Sequence, residues 1–99
     1  MNLEDFQDLT HLNVQECSAV SKIVCANNPD NPIELQSNSL ENCSNLSELY
    51  GNFIILGDKV FAGCSSLRLA LDKTKGFIEG PNVTNIQFAS NLASCYNLF

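Results

Sequence analysis

A chain of 99 residues makes one domain or part of one, and at that size only roughly 60–65% of the surface of the unfolded chain can be buried. The formal net charge is −6, and the five cations (Lys22, Lys59, Arg68, Lys73 and Lys75) form no cluster free of acids, which argues against nucleic acids and anionic membranes as partners. No run approaches the roughly 20 apolar residues of a membrane span, and the acidic, polar opening "MNLEDFQDLTHL" is not a signal peptide.

In chain order, the first expected element covers residues 1–12. Leu3, Phe6, Leu9 and Leu12 recur at spacing three, with Asn2 placed to cap and Glu4 and Asp5 placed for a helix N-terminus. An amphipathic capping helix is expected there.

From residue 13 a pattern returns. "ECSAVSKIV", "NCSNLSELY", "GCSSLRLAL" and "SCYNLF" each carry Cys, two small or polar residues, then Val or Leu. The cysteines are Cys17, Cys43, Cys64 and Cys95, at intervals of 26, 21 and 31 residues, near the roughly 20–29 of leucine-rich repeats. Leu40, Phe61 and Leu92 stand three places before the last three cysteines, and each follows a short apolar stretch: "PIEL", "NFIIL" and "VTNI". Residues 72–82 look like an inserted loop. Leu67, Leu69 and Leu71 alternate as strand residues do, whereas Cys43, Leu46 and Leu49 would also suit a helix face. The preferred reading is two short strands per repeat, joined by a tight turn or one-turn helix that holds the cysteine. The many asparagines suit tight turns.

The fold class expected is thus a mainly β repeat solenoid of short parallel strands, over residues 13–99, in about three and a half repeats behind the capping helix. Its core residues would be Leu40, Leu46, Phe61, Leu67 and Leu92. Free cysteine behaves as a small buried hydrophobe with a weak donor. Cys17, Cys43, Cys64 and Cys95 would therefore form a structural column, each S–H free to bond a loop carbonyl. Five cysteines, an odd number, and no Cys-x-x-Cys argue against a disulfide framework or a zinc site. Cys25 lies off the pattern, either exposed and reactive or at a strand end in the core.

"LGDKVFAGCSSL" closely resembles the leucine-rich repeat of the BspA type, found in bacterial surface proteins and in large families of protist proteins. "NSLENCSNL" and "ASNLASCYNL" are further matches, and "NVQECSAV" is the weakest. The resemblance covers about residues 12–99. The sequence departs from it in unequal spacing, the 72–82 insertion and the missing Pro after the strand. The resemblance implies a non-catalytic, adhesin-like or scaffolding role.

No acid–base constellation stands out. His11 is the sole histidine, and the glycines form no phosphate-binding signature. Asn28, Asp30, Asn31 and Glu34 offer oxygen ligands without EF-hand spacing, and the sequons at Asn42, Asn45 and Asn82 matter only in a secreted chain. No catalytic residue, metal or cofactor is assigned. The expected function is a protein–protein interaction module. Its contact residues would be Ser21, Ser47 and Arg68, or Lys22, Glu48 and Leu69 if the register slips by one. The alternative is a structural subunit that homo-oligomerises through an open C-terminal end at Leu98 and Phe99, the chain then being complete rather than a fragment of a longer array. Reduced cysteines favour an intracellular location; the resemblance allows the cell surface once a leader is removed.

Overall fold

The structure, a computed structural model, describes residues 1–72 and 74–88. Eight short strands carry the regular structure: β1 (Asn2–Leu3), β2 (Lys22–Cys25), β3 (Ile33–Leu35), β4 (Glu48–Tyr50), β5 (Phe53–Ile55), β6 (Ala70–Asp72), β7 (Phe77–Glu79) and β8 (Ile86–Phe88). The first sheet has the order β1-β2-β4 and is parallel. The second has the order β3-β5-β8-β7-β6 and is mixed.

Alternation decides which side chains go inward. In β3, β5 and β8 the outer residues are buried and the middle one is half-exposed. The register stacks Ile33, Phe53 and Ile86 in one column and Leu35, Ile55 and Phe88 in a second. Ile23 and Leu49 pair likewise across β2 and β4. All of these join one buried cluster with the connecting turns. β-branched and aromatic residues suit such half-buried strands.

The turns repeat one design. Cys17, Cys43 and Cys64 N–H groups donate to the carbonyls three residues back, at Val14, Leu40 and Phe61. Each cysteine carbonyl then accepts from the residue three places on, at Val20, Leu46 and Leu67. Each cysteine is therefore the joint of two chained tight turns. The residue just before it has a left-handed backbone every time: Glu16 (φ 62°), Asn42 (φ 63°) and Gly63 (φ 77°). Layers are tied by parallel bonds, Val14 N–H to Ser39 O (2.8 Å) and Leu40 N–H to Val60 O (3.1 Å), with Glu16 to Glu41 and Asn42 to Ala62 beside them.

Two expectations are corrected. No helix occurs among the described residues, so the N-terminal capping helix is absent. Residues 2–12 instead begin as a strand, Asn2 and Leu3 pairing with Val24 and Cys25. They continue through chained turns in which Phe6 N–H bonds Leu3 O and Leu9 N–H bonds Phe6 O. Asn2 Oδ1 accepts from Glu4 N–H (3.0 Å), an Asx turn and not a helix cap. A segment this short has little helical stability of its own, and parallel pairing with β2 prevails.

The repeat solenoid is the second correction. Its third repeat should lay Leu69–Leu71 beside β4. Instead β6 joins the other sheet and runs antiparallel to β7, with Leu71 opposite Ile78. Leu49 of β4 pairs with Val83. The physical cause lies in the 72–82 segment. Asp72 Oδ1 accepts from the Thr74 and Lys75 amides, and Gly76 N–H bonds Asp72 O. This turn folds the chain back as a hairpin before a parallel strand can form. The result is a compact pair of sheets without solenoid closure, with a radius of gyration of 12.1 Å, close to the roughly 13 Å of an ordinary globular chain of this length.

Candidate functional site

The cysteines come first, because thiols carry chemistry. Cys43 and Cys64 are buried and Cys17 is half-buried. The Cys43 Sγ donates to Val14 O (3.0 Å), and the Cys64 Sγ donates to Leu40 O (3.0 Å). Each thiol thus bonds the carbonyl at the start of the preceding turn. Burial, reinforced by the Cys43 thiol, pushes Cys64 up to about 11. Burial also raises Cys43, and a backbone hydrogen bond at Cys17 offsets part of the rise. Cys25 ends β2 in the core, and burial pushes it up to about 11. A reactive cysteine needs a stabilised thiolate; these three are held neutral. Leu40, Leu46, Phe61 and Leu67 are buried around the turns. Cys95, Leu92, Leu98 and Phe99 lie outside the described residues.

The outer face of the smaller sheet is mostly polar, with Val24 its apolar member. Lys22, Val24, Glu48 and Tyr50 point away from the core. The Lys22 ammonium stands 5.8 Å from the centre of the Tyr50 ring. The Tyr50 hydroxyl donates to Glu48 Oε1 (2.9 Å), and this bond, with burial and the carboxylate charge, raises the phenol above its ordinary range. Ser21 and Ser47 sit just before β2 and β4, where Ser47 Oγ donates to Ser21 O (3.3 Å). Arg68 is exposed and precedes β6. The strand rows proper contain Lys22 beside Glu48.

The larger sheet offers a continuous outer row. The register places Glu34, Ile54, Gln87, Phe77 and Asp72 side by side across β3, β5, β8, β7 and β6. His11 extends the row by bridging to Glu34. Its Nε2 lies 2.6 Å from Glu34 Oε2, and Thr10 Oγ1 is 2.9 Å from its Nδ1. Glu34 N–H bonds Thr10 O (2.8 Å), which fixes the backbone of the pair. A cleft of about 480 Å³ opens here, lined by Thr10, His11, Asn31, Pro32, Glu34, Ile54 and Leu56. At the other end Phe77 is 42% exposed, while Lys75 reaches Asp72 (3.9 Å) and Glu79 (3.8 Å).

Sequence reasoning placed His11 in a helix and Glu34 in a separate oxygen-rich segment to which no metal was assigned. The structure brings these two together. No local signal could have shown it, because 22 residues separate them and only the register of β3 makes them neighbours. The Asn28 carboxamide oxygen is occupied by the Asp30 amide (3.0 Å), which makes an Asx turn of that segment.

No family model matches the chain, and neither a curated protein nor a solved structure matches it.

Proposed function

We propose that this chain is a protein-binding module that uses the outer face of its five-stranded sheet. The observation that carries this reading is the row His11–Glu34–Ile54–Gln87–Phe77–Asp72, in which apolar and polar groups alternate from Glu34 onward across a sheet face that no other strand among the described residues covers. An exposed aromatic on a mixed surface with a polar rim is the composition of a protein interface. Two of its six residues, Glu34 and Asp72, are carboxylates, none is a lysine or arginine, and the chain carries −6 overall, so the complementary surface is a protein with a basic rim. The resemblance of "LGDKVFAGCSSL" to adhesin and interaction repeats supports the same class of function.

A catalytic reading finds less support. Thr10, His11 and Glu34 stand in the order of a nucleophile, base and orienting acid. The His11 side chain is 60% exposed, so water screens the electrostatics that catalysis would need.

The test uses the purified chain, immobilised, and the material from which it is isolated. A protein captured by the wild type, rebuilt from the two purified components and lost on Phe77→Asp with an unchanged melting curve, supports the face. Equal binding by Phe77→Asp removes it. If the captured species is a second copy of the chain, dissociating on dilution, the structural-subunit reading replaces it.

A further inference from the structure

Resting on the binding-face reading, we infer that the His11–Glu34 cleft is a receptor for a lysine or arginine side chain of the partner. Its lining joins an apolar part (Pro32, Ile54 and Leu56) to a polar part (Thr10, Asn31, His11 and Glu34). A long cationic side chain has the same division, an alkyl stem ending in a charged head. The volume, about 480 Å³, falls within the roughly 300–1,000 Å³ of ordinary ligand sites.

The charges select the head group. Among the described residues no lysine or arginine lines the cleft, and Glu34 is its only carboxylate. An anion would face that carboxylate, and a wholly apolar group would take water from it without replacing the lost hydrogen bonds. An ammonium or guanidinium would replace them with charge-assisted bonds. The carboxylate is prepared for this. His11 engages Oε2, Thr10 engages the far ring nitrogen, and the backbone bond from Glu34 to Thr10 holds both ends of the pair. The side chain is thereby fixed before the partner arrives, while Oε1 has no hydrogen-bond partner among the described residues. The net charge of −6 draws cations toward the face.

The experiment is a titration of the whole chain near neutral pH and low salt, followed by amide chemical shifts. The probes are N-acetyl-lysine methylamide and its norleucine counterpart, which keeps the stem and lacks the charge. Saturable shifts at Thr10, His11, Glu34 and Ile54 are expected, with the lysine probe bound roughly tenfold tighter than norleucine, the scale of one hydrogen bond to a charged group. Glu34→Gln, which keeps the shape and removes the charge, should erase most of that preference. Equal affinities for the two probes, or shifts that fall elsewhere or never saturate, overturn the proposal. The probes report on the cleft without any partner. A failure here therefore leaves the face to be judged by Phe77→Asp, and a failure there leaves the cleft intact.

Discussion

Replacing Cys43 by alanine tests why a cysteine stands at the joint of each turn. Its side chain is fully buried, and its Sγ donates to Val14 O at 3.0 Å. Alanine removes one heavy atom, comparable to a buried methylene worth about 0.8 kcal/mol, and a cavity term adds to it. It also removes the donor to Val14 O, and a typical net hydrogen bond contributes about 0.5–1.5 kcal/mol, with a thiol at the lower end. The expected loss is about 1–2 kcal/mol, which for a chain of this size lowers the melting temperature by about 4–16 °C. Cys17→Ala is the internal control. That cysteine is half-buried, and a loss under about 0.5 kcal/mol is expected. Urea titrations of the two variants and the wild type, compared at equal m-value, supply the numbers. If Cys17→Ala costs as much as Cys43→Ala, or if neither costs anything, the cysteines are not there for packing and the reasoning fails.

Three further outcomes follow from the same geometry. Glu16 holds a left-handed backbone (φ 62°) where the equivalent turns use Asn42 and Gly63; Glu16→Asn should stabilise by about 0.5–1 kcal/mol in the same urea assay, since asparagine tolerates that region. A Cβ on Gly57 would run into the Ser37 backbone nitrogen, so Gly57→Ala should destabilise by more than about 2 kcal/mol as the turn is forced apart, and a neutral result would mean that the two turns are not in contact. The buried thiols make stability depend on alkali. Cys25 and Cys64 move from 9.0 to about 11 in the folded chain, so the unfolded chain gives up those protons first. The contribution of these thiols should be level below pH 9 and fall between pH 9 and 11 by up to about 1.4 kcal/mol per thiol per pH unit. Unfolding curves at intervals across that window decide it, and a flat profile would place these thiols in water.

Much of the local structure was legible in the sequence. "PIEL" and "NFIIL" contain β3 and β5, and β8 begins at the last residue of "VTNI". The spacing Leu-x-x-Cys-x-x-Leu marked the turns because each bond inside them joins residues three apart. Only tertiary structure decided what spacing three means. Chained turns and a helix face share that periodicity, and the parallel pairing of Asn2 and Leu3 with β2 chose the turns for residues 2–12. The destination of Leu69–Leu71 was equally open. The alternation that marks a strand says nothing of its neighbour, and the Asp72 turn sends β6 to β7 instead of β4. The candidate site lay further out of reach. His11 and Glu34 become a pair, and Ile54, Gln87 and Phe77 a row, only through the register of separate strands. Hydrogen bonds between near neighbours leave a spacing in the chain, whereas contacts between strands distant in sequence leave none.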